Sequence, residues 1–462
     1  MAVFVAGGAL AYGSLVQPAG CNQTAHYALV QSLAHGTPRI DRYHQETCDT
    51  AYVSRHYFAA KAPGLALATL PWFEALRLVG LVPRNPLLAA RYPTAMVALP
   101  RRALWQVGLF GAVLPALVLL LLLRAVIDRI TPGMGLPVAC LAGLGTLILP
   151  FATVFFAHVL AACLAFAAFA LLFLRQRALA AGLLAGFAVC VDFPVAIVAV
   201  VLAVYAWRRV APFLAGAAVG ALPLLAFNFW AFDNPLHLSY ANAVLHGGKS
   251  GHAVLGANSK GFFGVGVPSV HAGVELLFSP RGLLVLSPVL IAAFAGLWRL
   301  HRRGFHSEAY VAIAIFGAFL VYNAGYYLPF GGYVPGPRFL IATIPFLALG
   351  LGAALADWPV PTIVLGVLSV AVMTVATAAQ PLIGNDDTYG WIVRWEHGDF
   401  VWSVLSLAGE GHGWLAISPF LAGVTLVVLS AAAAQPPTAR ARSSPRRRCR
   451  SVSPAGPPAH PG

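Results

Sequence analysis

The sequence predicts an all-α, polytopic integral membrane protein of about 12 transmembrane helices. Three observations predict it. Of 462 residues, 59% are hydrophobic and only 10% are charged, whereas a soluble domain carries about 25% charged residues. The mean hydropathy is +0.79. Apolar runs of about 20 residues recur along the whole chain, each long enough to cross a bilayer as a helix. Backbone groups in lipid must be satisfied within the segment, so the spans are helices rather than open sheet.

The elements follow in order. Residues 2–17 are apolar but lack the basic start and small-residue cleavage site of a signal peptide. They are expected to form the first transmembrane helix, ending near Val16. A polar-amphipathic segment, 18–103, follows. Within it Pro63–Val79 is apolar, with Glu74 and Arg77 near its end, and reads as either a short span or a helix lying in the membrane interface. Further spans are expected at about 104–123, 136–151, 153–174, 180–191 with 193–207, 211–231, 282–299, 308–327, 338–356, 360–379 and 414–433. The 180–207 pair is short for two crossings, and Asp192-Phe193-Pro194 breaks it in the middle.

Basic residues in short loops set the orientation. Arg124/Arg129, Arg175/Arg177, Arg208/Arg209 and Arg299/Arg302/Arg303 fall on one side together with the C-terminal tail if Pro63–Val79 is interfacial. If that segment crossed, the basic loops would scatter to both faces. The interfacial reading therefore places both termini in the cytoplasm of a cell-membrane protein and three long segments outside: 18–103, 232–281 and 380–413. Arg84, Arg91, Arg101 and Arg102 are then external, which long loops tolerate. Residues 1–434 form the transmembrane domain. Residues 435–462, rich in Pro, Ser and Arg and without an acid, are expected to be a disordered basic cytoplasmic tail.

The net charge of +14 comes from helix-end and tail arginines, so it reports topology and contact with membrane lipids rather than nucleic-acid binding. Cys140, Cys163 and Cys190 lie in apolar spans and are expected to pack as small hydrophobes. Cys21 and Cys48 share the first outer segment and are free to pair if it faces an oxidising compartment.

Acids gather in the outer segments. Asp41, Glu46, Asp49 and Glu74 are in the first, Asp233 and Glu275 in the second, and Asp386, Asp387, Glu396, Asp399 and Glu410 in the third. Asp128, Glu308 and Asp357 lie at cytoplasmic helix ends, where pairing with nearby arginines explains them. Since acids in lipid are expensive, this distribution suggests an outward-facing site. Asp41, Glu46 and Asp49 are candidate general bases, because a carboxylate can take a proton from an acceptor hydroxyl; the competing account is a solvated loop with incidental acids. His26, His35, His44 and His56 show no ligand-like spacing, so no metal residue is assigned. Lys61-Ala62-Pro63-Gly64 opens an apolar helix, and a lysine beside a helix N-terminus suits a phosphate, though it equally suits an interfacial snorkelling lysine. Gly331-Gly332-Tyr333-Val334-Pro335-Gly336-Pro337-Arg338 is a short outer loop whose arginine can grip a phosphate bidentately or simply sit at the interface.

In this order the segments resemble the GT-C membrane glycosyltransferases, the superfamily of protein O-mannosyltransferases and lipid A aminoarabinose transferase. The resemblance rests on His56-Tyr57-Phe58-Ala59-Ala60-Lys61-Ala62-Pro63-Gly64, on Phe278-Ser279-Pro280-Arg281-Gly282 with Ser287-Pro288-Val289, and on Gly331-Gly332-Tyr333 with Gly336-Pro337-Arg338-Phe339-Leu340. It spans roughly residues 1–350. It implies a hexosyl- or pentosyltransferase that moves a sugar from a polyprenyl-phosphate donor to a hydroxyl of a glycan, protein or lipid acceptor on the outer face, with inversion. By position it implies Lys61 and Arg338 as donor-phosphate contacts and Asn22, His56 and Tyr57 as acceptor or substrate contacts; no cofactor is certain, and a divalent metal is left open. One departure matters. Where the family places an acidic pair after the first helix, this chain has Asn22-Gln23, and an amide cannot deprotonate a hydroxyl. The base is then expected at Asp49 or Asp41. The rival expectations are a non-catalytic binder of lipid-linked sugars and a transporter or flippase of lipid-linked saccharides.

Overall fold

The computed structural model describes residues 1–82, 101–244, 264–382, 388–409 and 411–434. The tail 435–462, with Arg84, Arg91, Asp386, Asp387 and Glu410, lies outside the described residues. The helices in chain order are α1 (Ala2–Gly13), α2 (Cys21–Leu33), α3 (Gly64–Leu78), α4 (Arg101–Gly108), α5 (Leu114–Ile130), α6 (Gly135–Leu144), α7 (Ile148–Ala152), α8 (Ala157–Ala170), α9 (Ala178–Val191), α10 (Ala196–Tyr205) and α11 (Val210–Phe232). They continue as α12 (Val270–Phe278), α13 (Leu283–Leu286), α14 (Val289–Arg302), α15 (His306–Gly325), α16 (Ile344–Asp357), α17 (Pro359–Ala379), α18 (Thr388–His397), α19 (Val404–Leu407) and α20 (Gly413–Ala433).

Among the described residues seven helical stretches are long and apolar enough to cross a membrane, or eight if the bent pair Val270–Leu286 and Val289–Arg302 is one span. Four shorter apolar helices accompany them: Ala2–Gly13, Gly135–Leu144, Ala178–Val191 and Phe193–Tyr205. A count of twelve is reached only when those short helices are taken as spans.

Several expected spans differ in detail, each for a local reason. Arg101–Ile130 runs as one helical stretch, through a π-type turn at Leu109–Val113. The expected span 282–299 is two pieces meeting at 90°, because Ser287-Pro288 cannot continue the preceding helix. The break at Asp192-Phe193-Pro194 is present, with a short 3-10 turn between α9 and α10.

The transmembrane helices are held by small residues. A Cβ at Gly182 or Gly186 of α9 would run into the backbone of Phe213 or Ala217, and one at Gly216 or Gly220 of α11 into that of Leu179 or Leu183. Both helices carry glycines four apart, the arrangement that lets helix backbones touch where no hydrophobic drive separates protein from lipid. Gly296 of α14 meets Gly350 of α16 in the same way.

Trp207 and Trp230, both exposed, mark the two ends of the α11 stretch, as expected of aromatic belts at the two interfaces. At the basic end Asp357 receives Arg299 and Arg303, each at 2.5 Å, and Asp128 faces Arg124 at 3.5 Å. Glu308 departs from the expected arginine pairing: it accepts the Tyr205 hydroxyl at 2.8 Å.

The segment 18–103 is more structured, in its described residues, than its composition suggests. Following the short strand β1 (Leu15–Val16), it holds α2, nearly all buried, α3, and a hairpin of β2 (Thr50–Val53) and β3 (His56–Ala59). Ser54 and Arg55 turn the hairpin at φ 48° and 70°, matching the two left-handed positions of a tight two-residue turn. Ala243–Val244 from the second outer segment adds a third strand, and Leu15–Val16 pairs with Trp402–Ser403. Glu46 is 2% exposed with neither carboxylate oxygen partnered, and burial pushes its pKa up from 4.5 to about 7.

Two outcomes are expected. Gly186→Leu forces a side chain into the α11 backbone, an overpacking cost of about 3 kcal/mol, and lowers the melting point and the monodisperse yield in detergent. For Glu46, the folded carboxyl titrates about 7 against 4.5 unfolded, so its contribution is intact below pH 4.5 and lost as pH rises through 7. Glu46→Gln should therefore gain roughly 2–3 kcal/mol over the parent at pH 8 and nothing at pH 4, read from unfolding midpoints at both values.

Candidate active site

Three local arrangements converge on one cavity of about 320 Å³. The first is the start of α2. Asn22 and His26 lie one helical turn apart, hence on one face, and both line the cavity. Asn22 Oδ1 and His26 Nδ1 are buried without a hydrogen-bond partner. Burial, and then the positive charge of Lys61, push the His26 pKa down to about 3, so its ring is neutral at any ordinary pH.

The second is the run from Cys48 to Gly64. Cys21 and Cys48 form a disulfide with their Cα atoms 5.2 Å apart, and the Thr47 hydroxyl donates to the Cys21 carbonyl at 2.8 Å. The bridge thus holds Asp49, the next residue, against the start of α2. Asp49 Oδ2 lies 2.9 Å from Lys61 Nζ, both side chains largely buried, and the Ala60 N–H donates to the Asp49 carbonyl at 3.0 Å. Gly64 opens α3 so close to α9 that a Cβ there would stand 2.5 Å from the Cys190 carbonyl carbon and the Val191 nitrogen. Only glycine permits that contact, which docks the lysine loop beside the end of α9.

The third is the loop before Arg338. The buried Arg281 donates Nη2 to the carbonyls of Gly332 at 2.9 Å and Val334 at 2.6 Å, with its guanidinium 5.0 Å over the Phe330 ring. Gly331, at φ 86°, lies directly against the Arg338 side chain with no room for a Cβ. Arg338 in turn sits over Phe339 at 5.0 Å and Phe156 at 5.9 Å. It makes no hydrogen bond or ion pair among the described residues, and its Nε is buried unpartnered.

The remaining wall comes from the transmembrane helices. His158 at the start of α8 donates Nδ1–H to Asp192 Oδ2 at 2.7 Å. Tyr322 on α15 and Tyr326, the residue that caps its C-terminal end, line the cavity. The Tyr240 hydroxyl bonds those of Tyr326 at 2.5 Å and Tyr327 at 3.1 Å, and Lys61 Nζ lies 6.0 Å from the Tyr240 ring centre.

Of the residues singled out in the sequence, Asn22, Lys61 and Arg338 line this cavity, and Asp49 stands behind Lys61. Asp41, His56 and Tyr57 are not on its wall. Asp41 accepts the His56 Nδ1–H at 2.8 Å and the Tyr57 N–H at 2.7 Å, while the Tyr57 ring stacks on His44 at 4.2 Å; the three brace the hairpin. Sequence reasoning did not assign His26, His158, Asp192 or the tyrosines to the site. The available signal was an ionisable residue inside an apolar span, which is costly enough to mark function by default. Among the described residues no group of three His, Cys, Asp or Glu side chains is placed to hold a metal ion.

This arrangement of helices is a fold already seen in solved membrane-protein structures. It is shared with ArnT from Cupriavidus metallidurans in the apo state, at 14% identity over 92% of this chain and 72% of that one, with a TM-score of 0.50. The same protein bound to undecaprenyl phosphate aligns at 13% identity over 94% of this chain and 74% of that one, with a TM-score of 0.52. The apo oligosaccharyltransferase of Archaeoglobus fulgidus aligns at 10% identity over 92% of this chain and 55% of that one, with a TM-score of 0.48. No family model matches the sequence, and no curated protein matches it.

Replacing both bridged cysteines, Cys21→Ser with Cys48→Ser, should cost about 3 kcal/mol of stability for a loop of this length. Thermal unfolding with and without reductant measures it: reductant should lower the parent's midpoint to that of the double variant and leave the variant unmoved.

Proposed function

We propose that this chain is a membrane glycosyltransferase that moves a sugar from a polyprenyl-phosphate donor to an acceptor hydroxyl on the outer face of the cell membrane, inverting the anomeric centre. One observation carries the reading. Arg338 presents a guanidinium to an apolar-walled cavity without an acid bonded to it among the described residues, and such a charge calls for an anionic ligand. Lys61 lines the same cavity. An amphipathic lipid phosphate satisfies both features, and ArnT, which has this fold, has been crystallised with undecaprenyl phosphate. The Cys21–Cys48 bridge supports the outward side, since disulfides persist in oxidising compartments.

In this reading the donor phosphate lies between Lys61 and Arg338, and the isoprenoid tail follows the apolar face of α3 and its neighbouring spans. The acceptor oxygen attacks the anomeric carbon as the bond to phosphate breaks. Negative charge grows on the departing phosphate, where preorganised cations stabilise it more than in the ground state. A single displacement at one face inverts the centre. Tyr240, Tyr322 and Tyr326 offer flat faces and hydroxyls to the sugar. Asn22 has an unpartnered Oδ1 able to accept a hydroxyl proton in a hydrogen bond, though not to remove it.

A second reading, a non-catalytic binder of lipid-linked sugars, is favoured by Asn22-Gln23 standing where an acidic pair is expected. The full chain in nanodiscs separates the readings. Undecaprenyl phosphate should bind the parent, and Lys61→Ala and Arg338→Ala should each weaken binding about 10- to 100-fold, the worth of one charged hydrogen bond. Release of polyprenyl phosphate from a panel of polyprenyl-phosphate sugars, in the presence of native membrane extract as acceptor, should be seen with the parent. Binding without release at any donor selects the binder; no binding removes both readings.

A further inference from the structure

Asp192 ends α9 at the break before Phe193-Pro194 and lines the cavity. Its Oδ2 accepts the His158 Nδ1–H at 2.7 Å. Its other oxygen accepts no hydrogen bond among the described residues, and no lysine or arginine forms an ion pair with it there. His158 Nε2 is buried and unpartnered. A protonated imidazole would leave a charged N–H unsatisfied at that position, so the pair is best described as a neutral ring donating to a carboxylate.

A purely structural staple between α8 and α9 would not need a charge, since an asparagine would accept the same hydrogen bond without the desolvation cost. The residue present is a charged one, with one oxygen left over, on a cavity wall. The other acids are less able to act. Asp49 is engaged by an ammonium group at 2.9 Å, and it stands off the wall. Both oxygens of Asp41 are engaged by His56 and Tyr57. Glu46 is buried with neither oxygen partnered, off the cavity wall. Asp192 is the acid on the cavity wall among the described residues.

We propose that Asp192 is the proton acceptor of the transfer, in place of the acid that Asn22-Gln23 lacks, and that His158 is its positioning residue; this rests on the glycosyl-transfer reading above. The acceptor oxygen bonds to the anomeric carbon while the carbon–oxygen bond to phosphate breaks and its electron pair leaves with polyprenyl phosphate, facing Lys61 and Arg338. The acceptor proton passes to the open oxygen of Asp192, which becomes a neutral acid held by the His158 N–H, and then to water as the product leaves.

The test uses the full chain in nanodiscs, with undecaprenyl phosphate as binding probe and polyprenyl phosphate release from the donor panel as activity. Asp192→Asn should lower kcat by about 100-fold or more, the usual worth of a general base, with undecaprenyl phosphate binding unchanged. His158→Phe should lower kcat about 10-fold or more at unchanged KM, and His158→Asn, which keeps an N–H donor near the same place, should recover most of it. Asp41→Asn should leave kcat near the parent's. Asp192→Asn with kcat within about threefold of the parent overturns the assignment while the transferase reading stands. If Asp192→Asn loses lipid binding through misfolding, His158→Phe decides: kcat retained overturns the proposal, and kcat lost with binding kept sustains it. A parent that releases no polyprenyl phosphate from any donor overturns the transferase reading and the assignment together.

Discussion

A charge placed among apolar helices must be compensated nearby, and the arrangement of this protein follows from how three such charges are met. Lys61 is met by Asp49 at 2.9 Å. Asp192 is met by a neutral imidazole at 2.7 Å. Among the described residues Arg338 has only aromatic faces, at 5.0 and 5.9 Å, worth little beside the desolvation of a guanidinium. The imbalance is local and sits on a cavity wall, which turns a cost of folding into an affinity for an anion.

The scaffold spends its rigid elements on holding that imbalance. The disulfide fixes the residue before Asp49, the Asp49 carboxylate fixes the lysine, and the glycine that opens α3 lets the lysine loop touch the α9 backbone. At the loop before Arg338 a buried arginine is used as a clamp: Arg281 holds the carbonyls of Gly332 and Val334. The two arginines come from similar-looking motifs yet differ in what satisfies them. Arg281 meets carbonyls; Arg338 meets none among the described residues.

The helices behind the site are brought together by contact rather than by the hydrophobic effect, since lipid is as apolar as their side chains. The glycine faces of α9 and α11 bring those backbones into contact. That packing sets the position of the α9 end, and with it the distance from Asp192 to His158. The hairpin brace of Asp41, His56 and Tyr57 has a similar indirect relation to the cavity, because β3 leads straight into Lys61.

The membrane-spanning, helical character was legible because hydropathy is additive along a segment and needs no knowledge of neighbours. The lysine-proline element, Arg338 and Asn22 were legible for a related reason: each belongs to a short motif whose meaning lies within a few residues. The β-hairpin escaped, because Ser54 and Arg55 are not the residues that usually announce a turn with positive φ. The 90° bend at Ser287-Pro288 escaped because a proline tells that a helix changes but not by how much. Which acid faces the cavity was beyond the sequence altogether. Asp41 and Asp49 sit beside the motif in the chain, yet one braces a hairpin and the other neutralises a lysine, while Asp192, more than 130 residues further on, lies on the wall. The sequence determined the kind of solvent each segment occupies and the charges available; the tertiary structure alone decided which charges meet, because pairing is a property of distances that only packing creates.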